Sequence, residues 1–86
     1  MKTSIKLTPA RQLGKLIRDA RPSSQQWLAE RVGTKQPVIS RYERGAAIPS
    51  SRHLSALIHT LHLDAEQVYD LVRRHYEQTG NGDKAA

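Results

Sequence analysis

The apolar positions of this chain recur at helical rather than strand spacing. Leu13, Leu16, Ile17 and Ala20 stand at i, i+3, i+4 and i+7, and Leu54, Leu57, Ile58 and Leu61 repeat the interval, which puts each set on one face of an α-helix. Neither run alternates as a half-buried strand would. Breakers and capping residues divide the chain into five helical segments. The first runs from about Pro9, a good first-turn residue after Thr8, to about Arg21, beyond which Pro22 forbids continuation. The second starts at Ser23 or Ser24, both N-cap types, and ends at Gly33, which tolerates a positive backbone dihedral. The third begins near Lys35 or Gln36, carries Pro37 in its first turn where no amide donor is missed, and stops at Gly45. The fourth follows a loop over 46–51. The fifth opens at Asp64, which caps it while Gln67 closes a capping box, and continues to about Gln78. The pattern predicts one all-α domain over 1–78, with a flexible N-terminus over about 1–7 and a polar, flexible tail over 79–86.

Composition narrows what such a domain can do. At 86 residues the chain supports a single domain, and one of this size buries only about 60% of the surface its unfolded chain exposes. So thin a core leaves little room for an enclosed substrate cavity. There is no cysteine, which removes disulfide frameworks, thiolate zinc sites and cysteine nucleophiles together. No apolar run approaches the roughly 20 residues of a membrane span, and residues 1–9 lack the apolar centre of a signal peptide. We expect a soluble, cytoplasmic protein without a membrane partner. Its formal charge is +6, and the charge is uneven: residues 1–45 hold ten basic and three acidic side chains, residues 46–86 four and five. A surface that faces a polyanion belongs in the first half, although a solvated basic face without a partner fits the same count.

The informative stretch runs from Gln25 to Gly45. Two short helices joined at a glycine, the first ending Ala-Glu-Arg-Val-Gly, make the compact corner called helix-turn-helix. Ala29 must be small because the next helix crosses close to it. Gly33 takes the turn conformation that a side chain penalises. Ile39, ten residues beyond Ala29 and six beyond Gly33, plugs the angle between the helices, and Leu28, Val32, Val38 and Tyr42 complete the packed face. The other face of the third helix is different in kind. Gln36, Pro37, Ser40, Arg41 and Arg44 fall on one helical stripe, and a core would request none of them.

The segments LGKLIRDAR, SQQWLAERVGTKQPVISRYERG and the IPS that leads into a fourth helix occur in order and without insertion. Over about Leu13 to Val68 they resemble the Xre-type family of phage repressor, Cro and related bacterial regulators. The resemblance implies a five-helix, lambda-repressor-like all-α domain whose third helix enters the major groove of double-stranded DNA, usually as a homodimer on a two-fold operator. It implies that Gln25 meets the phosphate backbone at the start of the second helix, that Gln36 and Arg41 read base edges, and that Arg18 and Glu43 form a partly buried ion pair between the first and third helices. Pro37 can offer a thymine methyl only apolar contact. Lys35, Ser40 and Arg44 touch either phosphate or water. The chain departs from the family pattern at Pro22 and Ser23, where a Gly and a large apolar residue are usual, and at Trp27, where a polar residue is common.

The rest of the chain offers no catalytic constellation. His59 and His62 are three apart beside the fourth helix, but two ligands are too few for a metal and no acid completes a tetrahedron, so neither a metal nor another cofactor is expected. The serines sit at helix starts, where capping accounts for them. The fifth helix holds Val68, Tyr69, Leu71, Val72 and Tyr76, a stripe wider than a small core needs, which makes Tyr69, Val72 and Tyr76 the candidate dimer surface. The expected function is a sequence-specific DNA-binding repressor acting as a homodimer. The alternative is the antitoxin of a toxin–antitoxin pair that binds DNA and a toxin partner, and the chain also fits one domain of a longer regulator.

Overall fold

The hydroxyl of Thr8 accepts the Arg11 amide at 3.2 Å and so starts α1 (Pro9–Ala20). The structure, a computed structural model, describes residues 7–79; apart from Leu7 and Thr79, the two stretches expected to be flexible lie outside the described residues. Ser24 caps α2 (Gln25–Val32) by accepting the Trp27 amide at 3.0 Å, and Gly33, at φ 89°, ends it. The third helix, α3 (Gln36–Glu43), begins after Lys35 with Pro37 in its first turn. Ser50 caps α4 (Ser51–Leu61), which stops at His62 in the left-handed region. Asp64 Oδ1 accepts the amides of Glu66 and Gln67 at 2.9 and 3.3 Å and opens α5 (Ala65–Thr79). Among the described residues there is no strand, and the fold is the all-α, five-helix arrangement expected from the spacing.

The helices meet around one core in which α1 lies against α3 and α5, and α2 against α3 and α4. Leu13, Ile17, Leu28, Ala29, Ile39, Leu57 and Val68 are buried at its centre. A fully buried aliphatic side chain contributes about 1.5–3 kcal/mol, so these few residues supply much of what holds so small a domain together. The α1–α3 contact is close enough to exclude a side chain. A Cβ on Gly14 would fall 2.4 Å from the Glu43 carbonyl oxygen and 2.5 Å from that of Tyr42, so Gly14 brings the two backbones together.

A second fastening joins α1 to α3, and it corrects the expected ion pair. Glu43 is held by Arg21, not by Arg18. Arg21 Nε lies 2.7 Å from Glu43 Oε2 and Nη2 lies 3.1 Å from Oε1, a fork that matches the two carboxylate oxygens. Only 4% of the Glu43 side chain and 18% of that of Arg21 reach solvent. The side chain of Arg18 is 59% exposed and comes no nearer an acid than 3.9 Å, to Asp19. The reason is local backbone chemistry. Arg21 precedes Pro22, which drives it out of helical geometry to φ −71°, ψ 121°. Its side chain thereby leaves the helix surface and turns across to the end of α3, and a third donor contact, from Nη1 to the Ser23 carbonyl at 2.6 Å, fixes the turn.

Removing either partner strands a charge that water reaches poorly, so Arg21→Ala and Glu43→Ala should each destabilise the fold by about 1–4 kcal/mol. The double replacement should cost less than the sum, with a coupling of about 1–3 kcal/mol. Arg18→Ala should stay within about 0.5 kcal/mol of the parent. Denaturant unfolding of these four variants measures all of this, and additivity of Arg21→Ala with Glu43→Ala would contradict the contact.

Candidate nucleic-acid interface

The corner fixes which side of α3 is free. Ile39 points inward and is fully buried against Leu28 and Ala29, with Tyr42 buried and Val38 half-buried beside it. The Tyr42 hydroxyl lies 2.8 Å from His53 Nδ1, which ties α3 to α4. Burial pushes that hydroxyl above its ordinary range, against the opposing effects of a hydrogen bond with the Ser50 backbone and the nearby Arg41 charge. With one face committed to the core, the opposite stripe is left to solvent. Pro37, Arg41 and Arg44 are exposed, as is Lys35 just before the helix, while Gln36 and Ser40 sit half-buried at the edge of the stripe. Arg44 Nε donates to Ser40 Oγ at 3.3 Å.

Gln25, at the first turn of α2, is half-buried beside this stripe. Its Nε2 donates to Glu43 Oε1 at 2.9 Å, and its Oε1 accepts Gln36 Nε2 at 2.6 Å. The structure therefore brings together three candidates from three places in the chain, Gln25, Gln36 and Glu43, in one line of hydrogen bonds that ends at Arg21. Spacing alone does not show this line. Arg21 was absent from the expected set, although the Arg-Pro pair that turns it is plain in the sequence.

A basic cleft borders the stripe. Arg11, Lys15 and Arg18, at i, i+4 and i+7 on α1, line a space of about 360 Å³ together with Leu7, Glu43 and Arg44. Lys15 reaches Asp19 at 3.0 Å in an exposed pair, which offsets one of the row's three positive charges and leaves the row cationic. Arg18 thus belongs to a cationic row on α1 rather than to the ion pair. Arg44 is common to the cleft and to the stripe, so positive charge continues from α3 onto α1. Among the described residues, no group of three or more His, Cys, Asp and Glu is placed to hold a metal ion.

Elsewhere, Trp27 is half-buried against the core and carries the Arg31 guanidinium 5.0 Å from its ring centroid, so the departure from the family pattern at this position is absorbed by packing and a cation–π contact. On α5, Tyr69 is 47% and Tyr76 56% exposed, whereas Val72 is half-buried and packs against the core. On the same helix Arg73 and Arg74 both pair with Asp70. Although desolvation acts the other way, these guanidiniums hold the Asp70 carboxyl below its usual range. No described helix is long and apolar enough to cross a membrane.

Comparison with protein families matches the helix-turn-helix family over residues 15–68, well over half of the chain. No curated protein and no solved structure matches it. The matched span begins on α1, within the cationic row, and ends on α5, and it contains the whole corner and its exposed stripe. The chain belongs to the Xre-like helix-turn-helix family, whose members are DNA-binding regulators of transcription.

Proposed function

We propose that this protein is a sequence-specific repressor that occupies a two-fold operator in double-stranded DNA as a homodimer and acts by occupancy, without a catalytic step. The observation that supports this most is the division of α3. One face is locked into the corner by Ile39, and the opposite face presents Gln36, Pro37, Ser40 and Arg41 with Arg44 at its end. A helix held this way presents side chains to a groove at fixed spacing. The Gln36 amide can accept from and donate to one adenine edge, and the Arg41 fork suits guanine O6 and N7. Lys35, Arg44 and the basic cleft on α1 suit phosphates, which position the protein without carrying sequence. Gln25, at the α2 N-terminus, is suited to a phosphate through the amide hydrogen its two bonds leave over.

Affinities for a preferred and a scrambled duplex at one salt concentration test the roles. Gln36→Ala and Arg41→Ala should each lose about 1–3 kcal/mol on the preferred duplex and little on the scrambled one. Lys35→Ala should weaken both alike. Equal losses on the two duplexes for Gln36→Ala and Arg41→Ala would remove base reading by α3.

The dimer rests on α5. One corner contacts few base pairs, and specificity normally takes two, with half-site centres about 34 Å apart when they lie one turn apart. Tyr69 and Tyr76 are exposed on a helix whose inner side is already packed, with Val72 between them. The same tyrosines favour a second reading, an antitoxin whose exposed surface holds a toxin. Tyr69→Asp and Tyr76→Asp should remove cooperative binding to a palindromic site while leaving the fold intact, since both side chains are exposed. Unchanged cooperativity in folded variants would place the dimer contact elsewhere, and a tyrosine face that serves a toxin partner would then be the better account.

A further inference from the structure

We infer that the cleft between α1 and the end of α3 is a phosphate site in its own right, which holds a small phosphorylated anion and makes that anion a competitor of DNA. Only the competition rests on the DNA-binding reading above. The cleft is cationic because Glu43 takes its counter-charge from elsewhere. Arg21 and Gln25 engage both oxygens of that carboxylate, so Arg18, the partner expected from the family pattern, stays on α1 with 59% of its side chain exposed. There it joins Arg11 and Lys15 in lining a space of about 360 Å³, together with Arg44 from the end of α3 and the apolar side chain of Leu7.

Charge and rigidity both suit a phosphate group. Of the four cations that line the cleft, Asp19 offsets one through Lys15, and the Glu43 charge is already met by Arg21, so three positive charges remain for a ligand. Guanidinium groups present forked N–H donors that match phosphate oxygens, and a terminal phosphate has oxygens enough for several of them at once. The donors come from elements that cannot drift apart. A Cβ on Gly14 would strike the carbonyl oxygens of Tyr42 and Glu43, and one on Gly45, at φ 76°, would lie 2.5 Å from Arg11 Cγ and 2.9 Å from Arg11 Cα. Two close backbone approaches thus hold the α1 row against the turn that carries Arg44, which keeps low the ordering cost of binding an anion there. A cleft also surrounds a whole small anion, which the convex stripe of α3 does not. Arg44 belongs to the cleft and to the stripe alike. An anion in the cleft therefore withdraws a cation from the DNA face and sets negative charge beside it, and the two ligands exclude each other.

Pyrophosphate is the probe, titrated into the free protein at constant ionic strength with sodium chloride as the balancing salt. Nitrogen–proton NMR spectra should show saturable binding that moves the signals of Arg11, Lys15, Arg18 and Arg44. Arg18→Gln, at an exposed side chain, should weaken this binding about fivefold. Arg31→Gln, which removes an equal charge from its stack on Trp27 in α2, should leave it unchanged. At about five times its Kd for the parent, pyrophosphate should lower the duplex affinity of the parent about sixfold and that of Arg18→Gln about twofold. Shifts that stay linear in pyrophosphate, or an equal loss in Arg31→Gln, overturn the site. A duplex affinity that pyrophosphate leaves unchanged overturns the competition. A salt slope for duplex binding lowered by about one in Arg18→Gln, with no pyrophosphate bound to the free protein, overturns the small-anion source and leaves the cleft to DNA phosphates alone. If the parent binds no duplex, the DNA-binding reading fails instead, and the titration of the free protein still decides the site.

Discussion

Glu43 sits at the end of α3 with its carboxylate almost wholly out of water, and much of the arrangement follows from how that group is satisfied. A buried carboxylate needs an opposite charge and a full set of donors, or its desolvation outweighs what its burial contributes. The donors come from two other elements. Arg21 reaches across from the residue that follows α1, and Gln25 reaches from the first turn of α2. One acceptor therefore fixes three helices with respect to one another, at a point where the apolar core alone is too thin to do so. The Gly14 contact complements it. There the α1 backbone meets the carbonyl oxygens at the end of α3 with no side chain between them, so the distance that Arg21 must span is short and constant.

The same fastening decides what α3 can do. Its inner face is spent on Ile39, Tyr42 and Val38, and its C-terminal end is pinned through Glu43. The outer stripe of polar and basic side chains is then presented by a helix that cannot rotate about its axis without breaking the core. Rigid presentation of this kind keeps low the ordering cost of binding. Cationic residues on α1 extend the positive surface outward from that stripe, while the second half of the chain carries slightly more acids than bases. Charge and shape agree on one face of the molecule.

Much of this was legible in the sequence because it depends on local rules. Helical spacing placed α1 and α4, serines and Asp64 marked helix starts, and Ala29, Gly33 and Ile39 defined the corner at positions the structure bears out. The ion pair was harder. Arg18 lies on the regular helix and is the natural partner by family position, yet Pro22 imposes an extended backbone on Arg21 and redirects that side chain toward Glu43. The consequence of a local proline became tertiary, and spacing rules do not follow a side chain after the helix ends. The hydrogen bond between Gln25 and Gln36 was out of reach for a related reason, since it depends on the crossing angle at the corner rather than on either helix alone. His62, a non-glycine residue at φ 58°, ended α4 without a sequence signal as strong as Gly33 gave for α2.

The central claim is that the outer face of α3 and the cationic row beside it meet the phosphate backbone of duplex DNA. The dependence of affinity on salt tests it most directly, because phosphate neutralisation releases condensed counterions and makes log affinity fall linearly with log salt. For a dimer that neutralises roughly 4–8 phosphates, log K plotted against log salt concentration should fall with a slope of about −4 to −7. A flat plot would contradict the account.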